Sequence, residues 1–252
     1  MRLEALLFDV DGTLADTEEA HRMAFNDAFA EFGYDWEWDR ALYKTLLRTT
    51  GGKERLKDFW DNEIGFVPPE GVDRDDLAAR IHKRKTALFG ERMTSGGVPL
   101  RPGVARLIRE ARAAGLRLAI ATTTTPVNVE NLFAGTVGRD VLDQFEVMGA
   151  GDVVPAKKPA PDIYTYVMDK LGLPPEACLA LEDSSNGIRS ATAAGLTSVI
   201  TVSFYTRDEA FPGALAVLSD LGEPDRPFEV IEGDAKGKTC VDIDLLRAWH
   251  GG

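Results

Sequence analysis

The first ten residues limit the fold more than any other stretch of the chain. Leu3 to Val10 is apolar apart from Glu4 and Asp9, and its length suits a strand buried inside a parallel sheet. It leads straight into Asp9-Val10-Asp11-Gly12-Thr13. Ligands of open α/β sheets gather beyond the carboxyl ends of the strands. The run therefore delivers two carboxylates, a glycine turn and a hydroxyl to the place where a ligand would sit. Side chains two apart on an extended chain point the same way, so Asp9 and Asp11 can face one reacting centre while Val10 packs away from it.

Helical spacing takes over from Thr17 to Met93. Ala24, Phe25, Ala28, Phe29 and Phe32 mark an amphipathic helix over residues 21–32, stopped by Gly33, and further helical stretches cover 39–47, 54–60 and 75–89. From Leu100 the rhythm becomes αβ. Helices over 102–114, 127–133, 161–171 and 187–194 alternate with strands over 116–121, 145–150, 178–181 and 197–202. Such alternation predicts an α/β fold, a Rossmann-like parallel sheet with right-handed crossovers. The expected domains are an α/β core formed by 1–16 and 94–252, and a helical cap, 17–93, inserted after the first strand and lying over the carboxyl edge of the sheet. A late strand fits 215–218. The polar, glycine-rich stretch 222–237 and the rest of the tail give no functional assignment.

Charge and cysteine content narrow the function classes. A net charge of −12 over 252 residues argues against nucleic acid or an anionic membrane as partner, since both need a positive surface. Cys178 and Cys240 are the two cysteines, too few for a disulfide framework and consistent with a reducing compartment. The three histidines lack zinc-type spacing. No apolar stretch reaches the length of a membrane span and no signal-peptide pattern opens the chain, so a soluble, cytoplasmic monomer is expected.

Four segments carry the chemistry. After Asp9 and Asp11 come Thr122, Thr123, Thr124 and Thr125 at the end of the 116–121 strand, where a hydroxyl could hold a phosphoryl oxygen. Lys158 precedes Pro159, which keeps it out of a helix and in a loop. Glu182 and Asp183 follow the 178–181 strand and add carboxylate oxygen. Mg²⁺ takes oxygen ligands and keeps several waters, so one or two carboxylates and a substrate phosphate would satisfy it. Any one segment alone is more simply a turn, a helix end or a solvated lysine. Their occurrence together, in this order, points to phosphoryl transfer.

The same four segments resemble the motifs of the haloacid dehalogenase superfamily of aspartate-nucleophile phosphotransferases, over about residues 3 to 220. The helical insert directly after the first motif is similar to that of β-phosphoglucomutase and its phosphatase relatives. Thr49-Thr50-Gly51-Gly52-Lys53-Glu54-Arg55, with Lys158-Pro159-Ala160-Pro161-Asp162 and Leu181-Glu182-Asp183-Ser184, looks like the CbbY proteins. These accompany the Calvin cycle and remove a phosphate from xylulose 1,5-bisphosphate. The resemblance implies a Mg²⁺-dependent hydrolase of sugar phosphates in carbohydrate metabolism. It makes Asp9 the nucleophile, Asp11 the general acid and base, Thr122 the motif hydroxyl and Lys158 the motif cation. The implied metal ligands are Asp9, the Asp11 carbonyl and Asp183, with Glu182 in or near the outer shell.

Substrate choice is expected to rest on the insert. A bisphosphate carries a second phosphate that the core motifs do not neutralise, and Lys53, Arg55, His82, Arg84 and Lys85 could do so. Glu18 and His21 begin the insert, where Glu18 could accept sugar hydroxyl protons. Arg48, Thr50, Gly51, Gly52, Thr123, Thr124 and Asn128 complete the candidate substrate contacts. Two competing functions remain: a phosphosugar mutase of the β-phosphoglucomutase kind using the same core, and a non-catalytic receiver phosphorylated at Asp9.

Overall fold

The computed structural model describes residues 2–49 and 51–251. β1 (Ala5–Phe8) is followed by α1 (Thr17–Glu31), α2 (Arg40–Leu46), α3 (Gly52–Phe59), a π-helical turn (Trp60–Ile64) and α4 (Arg74–Thr94). Next come α5 (Val104–Ala113), β2 (Arg117–Ala121), α6 (Pro126–Gly135), the short α7 (Arg139–Leu142), β3 (Val147–Gly149) and α8 (Asp162–Leu171). The chain ends through β4 (Cys178–Glu182), α9 (Ser185–Ala193), β5 (Thr197–Thr201), β6 (Ala216–Leu218), β7 (Val230–Gly233) and α10 (Ile243–His250). It divides into two compact units, Met1–Asp16 with Val98–Gly252, and Thr17–Gly97.

In the first unit the described strands form one sheet in the order β3-β2-β1-β4-β5-β6-β7, an α/β architecture of the Rossmann-like class. β1 lies at the centre, pairing in parallel with β2 and β4, and every side chain of Ala5–Phe8 is buried. That double-sided burial explains why the strand reads as a continuous apolar run rather than an alternation. The sheet is the expected parallel one except at its last strand. β7 runs antiparallel to β6, because the connection from Leu218 to Val230 carries no crossover helix and a direct return reverses strand direction.

The tail without a sequence assignment supplies β7 and α10. α10 buries Ile243, Leu245, Leu246 and Trp249 and is capped by Asp242, whose side chain accepts from the Leu245 amide. Arg106 holds the segment in place. Its guanidinium donates to the Gly222 carbonyl at 2.7 Å and the Val241 carbonyl at 2.9 Å, and its Nε to Glu223 at 3.0 Å.

Among its described residues the second unit has helices joined by loops and no strand, with α1 packed on α4. Its core is aromatic: Phe25 meets Trp38 at 4.5 Å between ring centroids, and Phe29, Tyr43, Phe59, Trp60 and Phe89 are buried with them. Both long helices exceed their apolar stretches. α1 begins at Thr17 because Glu18 and Glu19 in its first turn suit the positive end of the helix dipole. α4 begins at Arg74 because the Asp73 carboxylate caps it through the Asp76 amide.

Candidate active site

Strand register brings the motif residues to one edge. Phe8 lies opposite both Ile120 and Leu181, so the residues that follow it emerge level with the ends of β2 and β4. The ladder continues one step further: the Asp9 amide donates to the Leu181 carbonyl at 3.0 Å, and the Thr122 amide to the Gly149 carbonyl at 2.9 Å. Asp9, Thr122, Glu182 and Asp183 are all buried there. Gly12 turns with φ of +83°, and a Cβ on it would come within 2.0 Å of Asp183 Oδ2. Only glycine lets the turn lie against that carboxylate.

Lys158 ties the edge together. Its ammonium donates to Asp9 Oδ1 at 2.7 Å, Glu182 Oε1 at 2.6 Å and the Ala121 carbonyl at 2.8 Å, which uses all three of its hydrogens. Burial opposes the charge on Lys158, but Asp9 and Glu182 outweigh it and hold the pKa above the ordinary lysine value. Tyr164 also donates to Glu182 Oε1, at 2.5 Å. Burial pushes the Glu182 carboxyl up to about 7 against the pull of Lys158. Asp183 is pushed well above the usual carboxylate range by burial, and further by the charges of Asp9 and Glu182.

Asp9, Glu182 and Asp183 each offer one oxygen, all within 4.8 Å of one another. Lys158 bonds two of the three buried carboxylates and Arg101 adds its charge near Asp183, so the cluster is still short of positive charge, and its donors are oxygen only. Both properties fit a hard divalent cation. Glu182 fits the expected metal role least directly, since its Oε1 already accepts from Lys158 and Tyr164. Asp11 is half-buried at the turn.

The threonine run resolves into separate positions. Thr122 is buried, and its Oγ1 accepts from the Thr124 amide at 3.3 Å. Thr123 is half-buried. Asn128 donates to Thr124 Oγ1 at 3.2 Å. Glu182 and Asp183 are not the helix-end pair that a strand-to-helix junction would allow, because Ser184 caps α9 through the Gly187 amide.

The helical unit gathers a second set of candidates. Lys85, which helical spacing alone would leave on a solvated face, is buried. Its ammonium donates to His21 Nδ1 at 2.7 Å and lies 4.9 Å over the Phe25 ring. His21 stacks on Phe89 at 3.8 Å. Burial, then the charges of Lys85 and Arg55, hold its pKa well below the ordinary histidine value, so the ring is neutral and accepts. Arg55 donates to Tyr43 Oη at 3.0 Å, and Tyr43 donates to Glu18 Oε2 at 3.0 Å. Gly52 touches the His82 ring so closely that a Cβ would fall within 2.5 Å of it. Lys53, Arg48 and Gly51 are exposed, and Thr50 lies outside the described residues. Arg84 pairs with Glu31 at 2.5 Å and Glu91 at 2.9 Å at the surface of the unit.

Two residues of the core edge escaped sequence reading. Tyr164 sits on the apolar face of α8, where nothing distinguishes it from a packing residue except that a buried hydroxyl needs a partner. Arg101 lies three residues before the start of α5, and its guanidinium reaches the carbonyl of Gly12. No local pattern announces that contact.

Comparison with known proteins agrees with this geometry. Residues 3–195 match the model of the haloacid dehalogenase-like hydrolase family. The chain is 48% identical to the plasmid-encoded CbbY protein of Cupriavidus necator, over 99% of this chain and 98% of that one. It is 54% identical to CbbY of Rhodobacter capsulatus, over 88% and 95%. Among solved structures, an aspartate-to-asparagine mutant of CbbY from Rhodobacter sphaeroides in complex with xylulose-(1,5)bisphosphate superposes with a TM-score of 0.71, at 49% identity, covering 86% of this chain and 94% of that one. Its motifs, its sheet and its relatives make this chain a member of the haloacid dehalogenase-like hydrolase family, of the CbbY type.

Proposed function

We propose that the protein is a soluble, cytoplasmic Mg²⁺-dependent phosphatase that hydrolyses a sugar bisphosphate, xylulose 1,5-bisphosphate to xylulose 5-phosphate, through an aspartyl-phosphate on Asp9. The observation that carries the chemistry is Lys158 bridging Asp9 Oδ1 and Glu182 Oε1 beside Asp183. The substrate rests on the CbbY relative whose complex contains that bisphosphate.

With Oδ1 held by Lys158, Asp9 attacks phosphorus through Oδ2, forming the Asp9–phosphorus bond as the bond to the sugar oxygen breaks. Asp11 gives its proton to the departing sugar oxygen. It then takes a proton from the water that attacks the aspartyl-phosphate, and inorganic phosphate leaves. Asp9, the Asp11 backbone carbonyl and Asp183 would hold Mg²⁺, which when bound supplies positive charge to the phosphoryl oxygens. Glu182 keeps Lys158 aimed at Asp9, and the Thr122 hydroxyl holds a phosphoryl oxygen. In the helical unit, Lys53 is the cation for the remote phosphate. Arg55 is tied to Tyr43 and Glu18, and His21 and His82 stay neutral beside Lys85.

The deciding experiment compares xylulose 1,5-bisphosphate, ribulose 1,5-bisphosphate, fructose 1,6-bisphosphate and glucose 1-phosphate side by side, following free phosphate. Release from xylulose 1,5-bisphosphate with the highest kcat/KM is expected. Efficient conversion of glucose 1-phosphate to its isomer, without free phosphate, would establish a mutase instead.

Lys53→Ala is expected to raise KM for the bisphosphate about tenfold, the size of one charge-assisted contact, and to leave KM for p-nitrophenyl phosphate unchanged. An equal rise for both substrates removes Lys53 from the remote phosphate.

Metal dependence should follow pH. Glu182 and Asp183 have folded pKa values above their unfolded ones, so the metal-free fold loses stability as pH rises from the ordinary carboxylate range toward neutrality. A cation offsets that loss where both are ionised. Saturating MgCl₂ is therefore expected to raise Tm more at about pH 7.5 than at about pH 5. Equal shifts at both would place the cation away from these carboxylates.

A further inference from the structure

Arg101 makes hydrogen bonds that its place in the chain does not explain. It sits in the turn before α5, and its guanidinium spans three separate segments at the active edge of the sheet. Nη1 donates to the Gly12 carbonyl and, at 2.8 Å, to the Thr201 carbonyl at the end of β5. Nη2 donates to the Val202 carbonyl at 2.6 Å and the Ser219 carbonyl, just past β6, at 2.6 Å. Its own backbone amide donates to Leu14 at 2.8 Å. The side chain and main chain of one residue thus grip both sides of the Gly12-Thr13 turn and anchor it to β5 and β6.

All of these acceptors are uncharged oxygens, which distinguishes Arg101 from the other half of a natural comparison. Arg106, five residues on, also collects backbone carbonyls, but it pairs directly with Glu110 and Glu223 and serves the C-terminal segment. A guanidinium turned toward carbonyls offers a planar fork of fixed geometry. Here the fork determines where the Gly12 peptide lies. Gly12 in turn abuts Asp183 so closely that no side chain fits between them, and Asp9 and Asp11 lie on the same short turn.

We infer that Arg101 is a positioning residue for phosphoryl transfer: it locks the Gly12 turn so that Asp9, Asp11 and Asp183 keep the mutual geometry the reaction needs. The inference rests on the assignment of Asp9 and Asp11 proposed above. Its consequence is a loss of kcat rather than of substrate binding, because the guanidinium's hydrogen bonds go to the protein's own oxygens on Gly12, Thr201, Val202 and Ser219. A misplacement on the order of 1 Å costs about 10²-fold in rate.

The test compares Arg101→Met, Arg101→Lys and Arg106→Met in the full chain, each checked by circular dichroism and thermal melting. Arg101→Met is expected to lower kcat about 10²-fold with KM within about threefold of the parent. Arg101→Lys, which still reaches some of the carbonyls, should recover part of the loss. Arg106→Met should lower Tm and leave kcat unchanged. Amide hydrogen exchange over residues 10–16 should accelerate in Arg101→Met and not in Arg106→Met. Parental kcat in a folded Arg101→Met, unchanged exchange over 10–16, an equal kcat loss in Arg106→Met, or loss of fold in both Arg101 variants would each overturn the proposal. If the parent protein hydrolyses no phosphomonoester, the functional assignment fails, while the exchange measurement still decides whether Arg101 holds the turn.

Discussion

Asp9→Asn is expected to abolish phosphate release, by on the order of 10⁴-fold or more, as removal of a covalent nucleophile does. The amide keeps the shape of the carboxylate and can still accept from Lys158 Nζ, now 2.7 Å from Asp9 Oδ1, so the fold is retained. One of three crowded carboxylates loses its charge, and the metal-free Tm should hold or rise. What disappears is the anionic oxygen that attacks phosphorus. Asp11→Asn makes the contrast. It should cost about 10²- to 10⁴-fold, the usual worth of a proton-transfer group, and leave Asp9 able to be phosphorylated. Intact-mass measurement after exposure to substrate is expected to find a phosphoryl adduct on Asp11→Asn and none on Asp9→Asn. Residual turnover of Asp9→Asn within about tenfold of the parent would remove Asp9 from the nucleophile's role.

The catalytic edge was legible in the sequence because each part of it follows a strand. β1, β2 and β4 are buried on both faces, so their apolar runs stand out, and the residues just past them can be placed on one edge without knowing any contact. Strand ends and parallel topology place Asp9, Thr122, Glu182 and Asp183 on one edge, while their separate roles come from the resemblance to the haloacid dehalogenase motifs. Neither signal points to Tyr164 or Arg101, because what matters there is the reach of a long side chain across the sheet edge. The same limit applies to Lys85: helical spacing places it among Lys83 and Arg84, and only its packing on Phe25 and Phe89 takes it into the interior. The tail was illegible for a different reason. β7 is short and largely exposed, so it has no apolar signature, and its place comes from pairing with β6 and from the clamp of Arg106 on Gly222 and Val241.

Lys158→Met should remove activity and stability together, and pH separates the two losses. Without the ammonium, Asp9 and Glu182 lose their shared partner in a buried site, and the Ala121 carbonyl loses a donor. Breaking a buried ion pair from one side costs about 3–5 kcal/mol. That cost depends on the carboxylates staying ionised. Glu182 already has its carboxyl pushed up to about 7 with Lys158 present, and removing the lysine takes away what holds it down, so it takes up a proton readily in mild acid. The destabilisation of Lys158→Met relative to the parent is therefore expected to be larger at about pH 8 than at about pH 5. Lys158 itself has a folded pKa above the ordinary lysine value. Its contribution in the parent is complete below about pH 10 and is lost only as pH rises through that higher folded value. Adding Glu182→Gln to Lys158→Met should restore much of the stability near neutrality, since the amide needs no counter-charge and can still accept from Tyr164. It should restore none of the activity, which falls by about 10²- to 10³-fold or more when a preorganised cation is removed from developing charge. Chemical denaturation at both pH values and phosphate release by the single and double variants measure the two effects. Recovery of turnover in the double variant would show that Lys158 acts only by balancing Glu182 and has no part in holding Asp9 for attack.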